Sequence, residues 1–91
     1  MFMQRVHLII KGLVQGVFFR GFVRDNARKL RLKGFVRNLL NGNVEVVAEG
    51  DKNDLEELIK SCKKGPEGAS VEDVEIKYEK AKNEFDGFYI K

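Results

Sequence analysis

The apolar residues of this chain keep changing their spacing, and the order of the changes leaves few folds open. From Arg5 to Val14, the residues Val6, Leu8, Ile10, Gly12 and Val14 alternate with Arg5, His7, Ile9, Lys11 and Leu13, which predicts a half-buried strand. Phe19, Val23, Ala27 and Leu30 then recur at helical spacing, with Arg24, Arg28, Lys29 and Arg31 on the other faces. A helix over Phe19 to Leu32 is expected, with Gly34 following its end. Phe35 to Leu40 and Val44 to Glu49 return to alternation around Asn41-Gly42, a type I′ hairpin signal. Leu55, Leu58, Ile59 and Cys62 mark a second helix, capped by Asp51 or Asn53, with Asp54 in its first turn. Lys63 and Lys64 suit its negative end, and Gly65-Pro66 stop it. After a loop over Glu67 to Ser70, Val74, Ile76 and Tyr78 alternate in a fourth strand; beyond a polar break at Lys80 to Glu84, Phe88 and Ile90 mark a short last one.

Strand, helix, strand, strand, helix, strand is the split βαβ order. The expected fold class is α+β: a ferredoxin-like sandwich whose mainly antiparallel sheet of four to five strands carries two helices on one face. Ninety-one residues suffice for one core, so residues 1–91 are read as a single domain. In this topology strands one and two run parallel with strand three between them. The residues after strand one therefore lie at the same end of the sheet as the later half of strand two, which brings Asn38 toward the segment Gln15–Arg20.

That segment is built for an anion. In Gly12-Leu13-Val14-Gln15-Gly16-Val17-Phe18-Phe19-Arg20, Gly16 allows a tight turn and close backbone approach. Successive N–H groups there can converge on one oxyanion, and the following helix adds its positive end. Arg20 contributes a planar fork matched to phosphate or carboxylate. The balance of 17 Lys and Arg against 14 Asp and Glu, net +3, favours anionic partners without choosing among nucleic acid, membrane surface and small phosphate compounds. Cys62 stands alone, so no internal disulfide can form, and a reducing, cytoplasmic setting is expected. No signal segment or membrane-length apolar run is present, so no membrane association is expected.

The available side chains also restrict the chemistry. His7 is the sole histidine and reads as a solvent-side residue of the sheet, while Cys62 lies on a buried helical stripe. A Cys/His nucleophile pair and a metal cluster both lack parts. An arginine, a ring of amides and the Asn38 carboxamide can hold an anion, stabilise developing charge and aim a water. They cannot protonate a poor leaving group. A phosphate monoester expels an alkoxide, whereas an acyl phosphate expels a carboxylate that leaves unprotonated near neutral pH. The parts point to an activated mixed anhydride.

The same residues carry a family resemblance. Gly12 to Arg20, followed by Gly34-Phe35-Val36-Arg37-Asn38 and Gly42-Asn43-Val44-Glu45-Val46, resembles acylphosphatase. Ala27, Leu30 and Leu32, Glu49-Gly50 and the ending Phe85-Asp86-Gly87-Phe88-Tyr89-Ile90 extend the likeness over nearly the whole chain. The resemblance implies that the amides of Gln15, Gly16, Val17, Phe18, Phe19 and Arg20 bind the phosphoryl oxygens, that the Arg20 guanidinium clamps them, and that Asn38 orients the attacking water. It also implies no metal, no other cofactor and no phosphoenzyme. The substrate would be a small acyl phosphate, and inorganic phosphate would be product and competitive inhibitor of what is expected to be a monomer. Leu39 departs from members with a hydroxyl residue after the asparagine.

Other readings stand beside this one. A basic ferredoxin-like sheet can be a nucleic-acid module, but the RNP1 pattern is missing and strand three offers Glu45 and Glu49 rather than an aromatic platform. An accessory domain of a larger maturation protein would keep the same fold. Phe18, Phe19, Phe22, Phe35 and Phe88 are expected to fill the core or line the site entrance, and the helix-one cations to form a solvated face.

Overall fold

The computed structural model describes residues 3–91. Its elements are β1 (Met3–Leu13), α1 (Phe19–Lys29), β2 (Lys33–Asn38), β3 (Val44–Asp51), α2 (Lys52–Lys64), β4 (Ser70–Lys80) and β5 (Phe88–Ile90). The strands form one sheet in the order β4-β1-β3-β2-β5, antiparallel except where β5 runs parallel to β2. This is the ferredoxin-like α+β arrangement, with a parallel strand added beside β2.

Register decides which residues meet. Val6, Leu8 and Ile10 pair with Ala48, Val46 and Val44, and all six are fully buried. Val36 lies beside Val46 on the same side. The apolar stripes of α1 (Phe19, Val23, Ala27) and α2 (Leu55, Leu58, Ile59, Cys62) close over this face to make one core. Asn38, in register with Val44, continues the helix-covered face of β2, while Arg37 beside it belongs to the open face. Ile76 and Tyr78 face the helices from the edge strand β4, yet stay 40% and 42% exposed because α2 does not reach that far.

Three local expectations are corrected. Helix α1 ends at Lys29, not Leu32. Arg31 takes a left-handed conformation (φ 58°), its N–H reaches the Arg28 carbonyl at 3.1 Å, and the N–H of Leu32 reaches the Ala27 carbonyl at 2.9 Å. This is a Schellman closure with an arginine where glycine is usual, and it buries Leu32. Gly34 therefore ends no helix; it lies inside β2, where a Cβ would come within 1.9 Å of the Val47 carbonyl oxygen. The hairpin turn also differs. A type I′ turn needs positive φ at both Asn41 and Gly42, and only Gly42 has it (94°). The N–H of Leu39 binds the Asn43 carbonyl at 2.8 Å and that of Gly42 the Leu39 carbonyl at 3.2 Å, so Leu40-Asn41-Gly42 form a three-residue loop with a glycine bulge. Strand β2 accordingly stops at Asn38, and the loop expected over Glu67 to Ser70 gives way to β4 at Ser70.

The open face holds the C-terminal segment in place. Arg5 Nη1 donates to Glu49 Oε2 at 3.1 Å and to Glu84 Oε1 at 2.6 Å, and its guanidinium lies 5.4 Å from the centre of the Phe85 ring. Glu49 also accepts the backbone N–H groups of Lys82 (2.7 Å) and Asn83 (3.0 Å). These bonds strap residues 82–85 across the sheet and deliver β5 to the edge of β2. Burial pushes the Glu49 carboxyl up, but the Lys82 N–H, the Arg5 guanidinium and the Asn83 N–H outweigh it and hold it below the ordinary carboxylate value. A carboxyl with a lowered folded pKa contributes its full stability above the unfolded value, and loses it as pH falls through the folded one. Thermal unfolding should therefore shift to lower temperature on acidification below the reference value of 4.5. Glu49→Gln should lose about 2 kcal/mol near neutral pH and flatten that acid dependence. Equal acid sensitivity in the variant and the parent would assign the effect to other groups.

Candidate active site

Strand β1 ends at Leu13, Val14 drops into the core, and the chain then reverses before α1. Gly16 (φ 75°) and Phe18 (φ 61°) both take the left-handed region. Phe18 is the helix N-cap, but no side chain caps the helix and its first turn holds no acidic residue. The first intrahelical bond runs from the Phe22 N–H to the Phe18 carbonyl at 3.0 Å, so the N–H groups before it have no helical acceptor. Phe18 is 66% exposed, and its ring lies against Gly21, where a Cβ would come within 2.2 Å of the ring.

A cleft of about 210 Å³ opens at this reversal. Gly16, Phe18, Phe19 and Arg20 line it from the loop and helix start, Asn38 from the end of β2, and Ile90 from β5. Arg20 and Asn38 thus share one cavity although eighteen positions part them, because β1 and β2 both pair antiparallel with β3 and end on the same side. The Asn38 Oδ1 atom is buried, with no hydrogen-bond partner among the described residues. Leaving an acceptor so costs about 1–3 kcal/mol. Among the described residues no Asp or Glu lines the cleft.

The other residues of the expected loop sit differently. Val17 packs against the core. The Gln15 side chain turns away from the cleft, its Nε2 donating to the carbonyls of Leu39 (2.8 Å) and Asn43 (2.9 Å). That carboxamide ties the glycine loop to the hairpin just beyond Asn38. Arg24, Gly21 and Ile90 also border the cleft and were not singled out for it from the sequence. Arg24 is legible as the residue one helical turn beyond Arg20. Ile90 is not, because its place depends on β5 docking parallel to β2.

Elsewhere the chemistry is quieter. A groove of about 610 Å³ between α2 and β4 is larger, but its walls (Glu56, Glu57, Lys60, Ile76 and Tyr78 among them) present no convergent donors, so the smaller cleft is the candidate site. Burial pushes the Cys62 thiol up to about 12, which keeps it protonated and inert. His7 lies on the open face with Nε2 2.7 Å from Glu45 Oε2. Phe35, the aromatic ring of β2 on that face, has Lys91 Nζ 4.1 Å from its centre. Among the described residues no group of three His, Cys, Asp or Glu side chains could hold a metal ion, and no helix is long and apolar enough to cross a membrane.

Fold and cleft together define a small α+β protein with a cleft at a strand-to-helix turn lined by Arg20, Arg24 and Asn38. The acylphosphatase family model matches residues 6–90. An acylphosphatase of Dehalococcoides mccartyi is 48% identical over 90 residues, covering 98% of this chain and 99% of the relative. One from Syntrophus aciditrophicus is 47% identical over 88 residues, covering 97% and 92%. The solved acylphosphatase of Bacillus subtilis superposes with a TM-score of 0.94 at 34% identity, over 97% of this chain and 98% of that one. The chain belongs to the acylphosphatase family and is an enzyme of that kind.

Because the Gln15 carboxamide is the donor for two hairpin carbonyls, Gln15→Leu should speed amide hydrogen exchange at Leu39 and Gly42 and cost about 1–2 kcal/mol of stability. Unchanged exchange at both amides would show that the hairpin holds itself.

Proposed function

We propose that this protein hydrolyses the carboxyl–phosphate anhydride of small acyl phosphates by direct in-line attack of water. The carrying observation is the shared cleft: the Arg20 side chain, an uncapped helix start and the Asn38 side chain line one cavity. The N–H groups from Gln15 to Arg20 receive the phosphoryl oxygens, and the Arg20 fork binds two of them side by side. The Asn38 carboxamide hydrogen-bonds a water and leaves that water's lone pair directed at phosphorus. The P–O bond to the acyl group breaks as the new one forms, and the acyl oxygen leaves with its electron pair as carboxylate. The water's proton passes to a phosphoryl oxygen, releasing inorganic phosphate. No side chain has to give or take a proton, consistent with a cleft that lacks any titrating acid or base. The amides and Arg20 stabilise charge most where it accumulates in the transition state.

In this reading the enzyme acts without a metal, as a monomer in the cytoplasm, and inorganic phosphate competes for the site. Turnover of benzoyl phosphate should persist in EDTA and greatly exceed that of a simple phosphate monoester. Arg20→Ala should lower kcat/KM by about 10³-fold, and Arg20→Lys should remain severely impaired because a point charge cannot replace the fork. Asn38→Ala should lower kcat by about 10²-fold and change the inhibition constant of phosphate far less. Full activity in Arg20→Ala would remove the mechanism, and an equal loss of phosphate affinity in Asn38→Ala would make that residue a binder rather than a water guide.

A further inference from the structure

The proposed reaction accounts for Arg20 and leaves a second arginine in the same cleft unused. Arg24 also lines the cavity, four positions along α1 and hence on the same helical face, next to Ile90 of β5. Residues so spaced place their Cβ atoms about 5–6 Å apart. Arg24 Nε donates to Asp25 Oδ1 at 3.0 Å. Its terminal nitrogens have no hydrogen-bond partner among the described residues. The Asp25 pair is solvent-facing and worth little in itself, but it engages the inner nitrogen and leaves the outer pair free. With no carboxylate on the walls, nothing within the cleft neutralises this second charge.

Resting on the reading that Arg20 and the loop amides take the phosphoryl group, we infer that Arg24 is a specificity residue binding a second anionic group on the acyl part of the substrate. The favoured class is then an acyl phosphate whose acyl chain bears a carboxylate or phosphate of its own. Phe18 and Ile90 line the same cleft as the two arginines and would cover the apolar atoms joining the two anions. A second guanidinium serving only the phosphoryl group would strengthen all acyl phosphates alike, whereas one serving the acyl end discriminates among them.

Benzoyl phosphate and 4-carboxybenzoyl phosphate separate these cases, since they differ only in a remote carboxylate on a rigid ring. The intact enzyme should prefer the carboxylated compound in kcat/KM, and Arg24→Gln should lower that preference ratio by about tenfold, the worth of one charge-assisted hydrogen bond. Arg24→Glu should reverse the preference, and Arg24→Lys should restore part of it. A preference ratio unchanged in Arg24→Gln, with or without a parallel loss on both compounds, would overturn the inference while leaving the hydrolysis reading intact. Absence of turnover on both compounds by the intact enzyme would overturn both.

Discussion

The left-handed backbone at Phe18 is the constraint on which the site depends. A bulky residue at φ 61° is disfavoured by about 1–2 kcal/mol, and here it is held because the helix begins at the very next residue. The Phe18 carbonyl already accepts the first helical bond, so its orientation is set by α1. The ring, largely exposed, lies over Gly21. The reversal thus stores strain at the point where the loop and helix-start N–H groups border the cleft, a usual place for such strain in functional sites. Any side chain at position 21 would displace the Phe18 ring from the place it takes beside the cleft.

The partner across the cleft is positioned by a different force. Asn38 owes its place to strand register: β3 aligns β1 and β2, and a slip of one residue would send Asn38 to the open face and Arg37 to the helix-covered one. The apolar pairs Leu8 with Val46 and Val36 with Val46 prevent that slip, because it would expose a fully buried column. Core packing therefore sets the chemistry indirectly. The Arg5–Glu49 strap acts in the same sense, fixing the approach to β5 and so the position of Ile90. Arg28 adds to this from the helix side, its Nε and Nη2 both donating to the Phe88 carbonyl at 3.1 and 2.9 Å.

The element order, the buried stripes and the meeting of Arg20 with Asn38 were readable because each follows from spacing. Leu55, Leu58, Ile59 and Cys62 are all buried as their periodicity requires. What spacing could not reveal was decided by backbone closure. Leu30 and Leu32 continue the apolar pattern of α1, yet the helix stops at Lys29 because Arg31 accepts a conformation normally left to glycine, which lets Leu32 reach the core from outside the helix. Asn41-Gly42 carries the sequence of one turn and adopts another, because the longer loop presents the Leu39 and Asn43 carbonyls to Gln15. The side-chain role of Gln15 was hidden for the same reason: its partners are backbone oxygens, which no residue identity announces.

That tether also bears on the departure at Leu39. A hydroxyl at this position in other sequences would add a side-chain contact beside the asparagine, and its loss looks at first like a loss of support for Asn38. Here Leu39 contributes through its main chain, with its N–H bonded to Asn43 and its carbonyl bonded to Gln15. Neither bond depends on the side chain. The residue after Asn38 can therefore change while the end of β2 stays anchored. The element whose replacement would loosen the end of β2 is Gln15, twenty-three positions from Asn38 in sequence and bonded to the Leu39 and Asn43 carbonyls just beyond it.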